Sequence, residues 1–232
     1  MASKLLRNEN GAGVKVIAVL GSIGAGKSTL VKKCSRLPTF GIIEECLVDY
    51  CTFDSYNPLE LLYTDPVRNF TAAQMHFIDC LNETLGKQIQ STRHKVLVTD
   101  RSVYCPHPFI ETNYQQRVIT PFTRDYLRCK TSEAAKRSIT TNKIDYVGVF
   151  YLDTPPSLCL ERISKREREC EQTIPIEYLN NLDKEYKSHL DLWRAKIGEN
   201  RVMVVDGTEQ SAIIFDKFCD FVKNLAEMDQ FD

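Results

Sequence analysis

The chain has 232 residues, 43% of them hydrophobic, and its 30 Lys and Arg almost cancel its 31 Asp and Glu. That length suits one domain with a full core, and the balanced charge excludes the broad basic surface of a nucleic-acid-binding protein. No apolar run approaches the length of a membrane span, and nine scattered cysteines without C-x-x-C pairs read as reduced thiols of the cytoplasm, not as disulfides or a zinc site.

Residues 1–13 carry Lys4 and Arg7 but no apolar h-region, so they read as a flexible tail and not a secretory signal. They are also short for a mitochondrial presequence. A single domain is expected over 14–228. Residues 14–20 are almost wholly apolar and suit a strand buried on both faces. The loop Gly21-Ser22-Ile23-Gly24-Ala25-Gly26-Lys27-Ser28 then spells G-x-x-x-x-G-K-[ST]. Between a strand and a helix, this pattern wraps a polyphosphate in backbone N–H groups. Lys27 supplies a charge to the β/γ-phosphates, Ser28 can ligate Mg²⁺, and Thr29 follows at the start of the helix.

Further apolar runs at 41–45, 95–99, 146–152 and 202–205 are separated by 20 or more residues each. That spacing predicts an α/β fold, a five-stranded parallel sheet with crossover helices on both faces and ligands at the carboxyl ends of the strands. The second strand ends in Glu44-Glu45, and no Lys or Arg occurs from Gly41 until Arg68. A phosphate-bearing acceptor would need a cation there, so a neutral hydroxyl beside a carboxylate fits better. A long helix is expected over 66–91, with Phe70, Phe77, Ile78, Leu81 and Leu85 on one face. Gln74 shares that face. It is either a base-reading amide or a core glutamine bonded to backbone or water.

Three strands end in aspartate: Asp100, Asp153 and Asp206. Asp100 stands out because Arg101 and Ser102 follow it, and an acid for metal beside an arginine for phosphate is what phosphoryl transfer uses. Asp153 precedes Thr154-Pro155-Pro156, which resembles a helix N-cap, and Asp206 reads as a cap for the last helix. Residues 115–143 read as one helix. From Arg162 to Arg168, four cations alternate with glutamates on an expected helix. They form either a salt-bridged solvated face or a lid, about 162–174, closing on ATP phosphates.

Taken together, the phosphate loop, the glutamate at strand two, Tyr63 and Gln74, Asp100-Arg101-Ser102 and the Arg-rich segment resemble the deoxyribonucleoside kinase family. The resemblance runs from about Val16 to Val205. It implies a homodimeric P-loop kinase fold, ATP with Mg²⁺ as donor, and a deoxyribonucleoside as acceptor. Glu45, five before Tyr50, resembles the base on the 5′-hydroxyl, with both residues at the substrate. Arg101 matches the arginine that holds that carboxylate and the γ-phosphate, and Asp100 with Ser28 takes the metal. Tyr63 and Glu171 match the pair on the sugar 3′-hydroxyl, and Gln74 matches the base reader. Arg162, Arg166 and Arg168 match the lid arginines.

This chain departs from the family in several places. Glu45 is followed by Cys46 and not proline. The metal acid is Asp100 and not glutamate. Pro106 stands where family members carry aspartate or alanine. The family's ring-sandwiching phenylalanines fall on Ala73 and Ile110, which leaves Phe77 and Phe109 nearby to take that role. Without an acid at Pro106 the resemblance leans towards a pyrimidine base. A thymidylate-type nucleotide kinase and a non-catalytic nucleotide-binding relative share the phosphate loop. The missing cation near Glu45 argues against the first, and retention of Lys27, Glu45, Asp100 and Arg101 argues against the second.

Overall fold

Each apolar run of the sequence becomes a strand, and the most apolar runs lie innermost in one sheet. The computed structural model describes residues 13–44, 56–166 and 168–228, so Glu45, Tyr50 and the first twelve residues lie outside the described residues. The strands are β1 (Val14–Leu20), β2 (Gly41–Ile43), β3 (Val96–Asp100), β4 (Ile144–Asp153) and β5 (Val202–Asp206). Between and after them come α1 (Lys27–Cys34), α2 (Pro58–Thr64), α3 (Pro66–Ser91), α4 (Pro106–Gln115), α5 (Pro121–Asn142), α6 (Pro156–Ser164), α7 (Ile176–Ile197) and α8 (Ser211–Met228). All pairings are parallel, in the order β2-β3-β1-β4-β5. β1 is therefore central, and the chain winds outward from it in both directions. Such a switch point opens a crevice beyond the carboxyl ends of the strands.

β4 shows how the two faces of the sheet are filled. Tyr146 packs on Trp193 with ring centroids 5.1 Å apart, and Tyr151 packs on Tyr186 at 6.2 Å, so both tyrosines face α7. Residues five apart on a regular strand point to opposite faces. The pairing with β1 slips between Val16 and Ile17, opposite Tyr146 and Gly148, and this extra residue flips the alternation. Beyond the slip, Phe150 turns the other way and meets Phe218 of α8 at 5.2 Å. Gly148 shares that face.

Three expectations change at element ends. The segment 115–143 is not one helix: α4 stops at Gln115, Arg117 takes a left-handed φ of 58°, and α5 begins at Pro121. The cause is Pro121, which cannot donate to a continuing helix, while Thr120 caps the new one through its hydroxyl on Thr123 N at 3.1 Å. Thr154 does not cap α6. The cap position is Pro155, and the Thr154 hydroxyl reaches the phosphate loop instead. Asp206 accepts from Thr208 N at 2.8 Å, which closes the turn after β5 and lies ahead of α8. None of the helices among the described residues is long and apolar enough to cross a membrane.

α4 and α7 meet through edge-on and tilted rings, Phe109 on Tyr186 and His107 on His189 at 5.9 Å. Burial lowers both histidines, His107 to about 4 with help from Arg128, and His189 to about 3 with help from His107 and Lys196. The unfolded chain takes up these protons near pH 6.5 and the fold does not, so stability is lost as pH falls from there towards 4.

Two outcomes follow from this packing. A Cβ at Gly148 would lie 2.6 Å from Leu225 and 3.1 Å from Phe221, so Gly148→Val overpacks the β4–α8 contact. It should cost about 1–3 kcal/mol in urea unfolding. The unfolding free energy of the wild-type chain should fall between pH 7 and pH 5, and His189→Phe should flatten that dependence.

Candidate active site

The phosphate loop is shaped by glycines that no other residue replaces. Gly24 and Gly26 take φ of 80° and 104°, and Gly26 forms the N-cap of α1. A Cβ on Gly24 would lie 2.6 Å from the Cys159 carbonyl oxygen, so α6 presses directly on the loop. No acidic residue occupies the first turn of α1, which leaves its positive end to an anion. Lys27 is almost fully buried, and its ammonium donates to the Ser22 carbonyl at 2.8 Å. Ile23 and Ala25 are buried beside it.

The acid and arginine after β3 reach this loop through strand register. Val19 of β1 pairs with Asp100, so both strands end level. The Ser28 hydroxyl then donates to Asp100 Oδ2 at 2.6 Å. Arg101 adds one more ladder bond, its N–H to Val19 O at 3.0 Å, in a left-handed conformation with φ 77°. An arginine held there is strained, and such strain concentrates at functional sites. Its guanidinium donates to the Tyr186 hydroxyl at 2.7 Å and lies 5.2 Å from the Phe109 ring centroid.

One cleft joins these groups to the acceptor residues read from the sequence. Lys27, Ser28 and Arg101 line one part of it, Arg166, Arg168 and Glu171 another, and Tyr63, Gln74, Phe77 and Pro106 the rest. Phe109, Cys105, Leu59, Leu62, Leu81 and Tyr178 also line it. Gln74 and Phe77 face it from α3, both buried. Tyr63 on α2 is raised well above the ordinary tyrosine range, by burial first and then by Tyr178 and Glu171. Burial also lifts Tyr178 to about 12, against the Asn113 hydrogen bond and the Arg101 charge. Both phenols are therefore neutral hydroxyls that can donate to an acceptor.

Glu171 sits in a short 3-10 turn, Glu169–Glu171, and is 4% exposed. Arg168 donates to its Oε1 at 3.0 Å, and Arg166 stands 3.7 Å from its Oε2. Both arginines lie beyond the end of α6 at Ser164, not on a continuing helix as the sequence pattern suggested. Arg162 is placed differently from these two. It donates to Ala25 O and Gly207 O, both at 3.0 Å, and lines a second hollow with Thr29 and Glu209.

Ile110 does not line the cleft. It is fully buried in a small core with Phe70, Ile119 and Leu127. The reason is helical spacing. Ile110 lies about 100° round α4 from Phe109, where it meets Phe70 of α3 and Leu127 of α5 instead of the cleft. Tyr186 and Tyr178 carry no local sequence signal, because their partners Arg101 and Asn113 lie 85 and 65 residues away.

A phosphate loop between β1 and α1, an acid–arginine pair ending the neighbouring strand and basic groups facing one cleft define a P-loop phosphotransferase. A family model for deoxynucleoside kinases matches residues 17–228. The chain belongs to that family. It is 30% identical over 196 residues to a deoxyguanosine kinase of Dictyostelium discoideum, covering 83% of this chain and 64% of that one. It is 30% identical over 198 residues to a thymidine kinase of Ictalurid herpesvirus 1, covering 82% of each. Among solved structures it is similar to a deoxyadenosine kinase from M. mycoides with bound dATP. The TM-score is 0.72 and the identity 21%, covering 90% of this chain and 99% of that one.

The loop geometry itself can be tested. Gly24→Ala combines a strained φ with a clash against backbone. Calorimetry with tripolyphosphate should show affinity lowered at least ~10-fold. Binding equal to that of the wild-type chain would mean that the loop does not hold the anion.

Proposed function

We propose that the chain transfers the γ-phosphoryl group of ATP to the 5′-hydroxyl of a deoxyribonucleoside. The observation that carries this reading is the single cleft. Phosphate-binding groups (Lys27, Ser28, Arg101) and a hydroxyl-, amide- and ring-bearing wall (Tyr63, Gln74, Phe77, Glu171) open onto the same space. A phosphate loop alone would leave the acceptor undefined.

In this reading Lys27 leaves the Ser22 carbonyl for the β/γ-phosphates, and Arg101 meets the transferring phosphoryl from a position set by Tyr186 and Phe109. Arg166 and Arg168 lie beside the same space and close on the phosphates. Ser28 and Asp100 present two hard oxygens 2.6 Å apart at the loop. That pair suits Mg²⁺, which takes one or two protein oxygens and fills its shell with water and phosphate. When bound, the ion neutralises charge developing on the phosphates. Glu45 draws the proton from the 5′-hydroxyl or orients it, with Tyr50 beside the substrate.

Tyr63 and Glu171 face the sugar, as donor and acceptor to its 3′-hydroxyl. Gln74 reads the base edge, and Phe77 and Phe109 flank the ring. Pro106 offers no charge to an amino group, which favours a pyrimidine such as thymidine or deoxyuridine. In this reading the enzyme is a homodimer, as the family resemblance implies, and a cytoplasmic one, in keeping with its dispersed cysteines. The thymidylate-kinase alternative is disfavoured because no Lys or Arg occurs from Gly41 until Arg68 to meet an acceptor's phosphate beside Glu45.

A panel of four deoxynucleosides with labelled ATP tests the activity, and thymidine set against thymidine monophosphate separates nucleoside from nucleotide acceptors. Glu45→Gln should lower kcat at least ~100-fold with little change in ATP binding. Near-normal turnover in that variant would remove Glu45 from the role of base.

A further inference from the structure

Of the arginines at 162, 166 and 168, Arg162 is the one that does not line the cleft. Its two terminal nitrogens are both used on backbone carbonyls, Ala25 O in the phosphate loop and Gly207 O in the turn after β5, each at 3.0 Å. The Ala25 carbonyl accepts a second bond, from the Thr154 hydroxyl at 3.1 Å. Gly207 is itself anchored, since its N–H donates to Asp153 O at 2.8 Å. A Cβ on Gly207 would fall 1.8 Å from Thr154 Oγ1, so this turn seats directly on Thr154.

These contacts have a consequence for the anion. No peptide bond among the described residues is cis, so the N–H of Gly26 points opposite to the C=O of Ala25. Two donors on the carbonyl therefore fix the direction of the Gly26 N–H, which points away from them. The geometry points to Arg162 as a positioning residue. With Thr154 it braces the Ala25–Gly26 peptide in its anion-binding orientation, and it does not contact the transferring phosphoryl group. The guanidinium reaches the two carbonyls with separate nitrogens of one rigid fork, a geometry that the single nitrogen of a flexible lysine does not reproduce.

The inference rests on the phosphate loop binding a polyphosphate and does not need the acceptor to be a nucleoside. Without the brace, only part of the population holds the loop ready, and apparent affinity falls by that fraction. Calorimetry with tripolyphosphate should show Arg162→Ala and Arg162→Lys weakened alike, by ~10-fold. Thr154→Val removes a donor but no charge, and it should move affinity in the same direction by a smaller factor. In turnover, KM for ATP should rise by the same factor while kcat falls less than about threefold, because saturating ATP restores the loop.

Full affinity in Arg162→Lys would overturn the inference, since charge alone would then suffice. So would a silent Thr154→Val, or a kcat that falls in step with kcat/KM, which would place Arg162 on the phosphoryl group. If no deoxynucleoside accepts phosphate, the tripolyphosphate measurements still decide the brace, so the two readings fail separately.

Discussion

The parallel pairing of β1 with β3 is the constraint on which the site depends. Its register sets Val19 beside Asp100, so the loop leaving one strand meets the acid leaving the other. The 2.6 Å bond from Ser28 to Asp100 follows from that alignment, as does the extra ladder bond of Arg101 to Val19. A slip of one residue would send Asp100 to the opposite face of the sheet. The left-handed turn at Arg101 costs about 1–2 kcal/mol. Its bond to Tyr186 and its contact with Phe109 offset that strain.

Charge in the cleft is arranged so that its cations have protein partners that a polyphosphate can replace. Lys27 rests on a carbonyl of its own loop, and Arg166 and Arg168 rest on Glu171. Buried cations without such partners would be costly. Burial keeps the neighbouring phenols of Tyr63 and Tyr178 neutral, and the Glu171 charge adds to this at Tyr63. Cations and the phosphate loop thus line one part of the cleft, and phenols, an amide and rings line another. Glu171 belongs to both, which ties the basic turn to the wall that holds Tyr63 and Gln74.

Some of this was legible along the chain and some was not, for reasons seen at single residues. The strand over 14–20 and the helix over 66–91 have the expected bounds, because strong apolar runs and proline or polar ends are local signals. The break at Pro121 is less legible, because helix-compatible residues lie on both sides of a single proline. Ile110 was aligned to a ring position by family resemblance. Helical rotation on α4 instead gives that side to Pro106 and Phe109 and sends Ile110 into a separate core. Arg162 matched a lid arginine by spacing, but its two bonds run to backbone carbonyls brought close by the sheet.

By itself the sequence determined the phosphate loop, the parallel α/β architecture and the aspartate–arginine pair at a strand end. Each of these is written in neighbouring residues whose spacing has one physical meaning. The tertiary structure alone decided which side chains share the cleft, which aromatic groups hold Arg101, and which arginine supports the loop instead of lining the cleft. Those facts depend on strand register and helix rotation, which join residues such as Arg101 and Tyr186, or Ala25 and Arg162, across 85 and 137 positions of the chain.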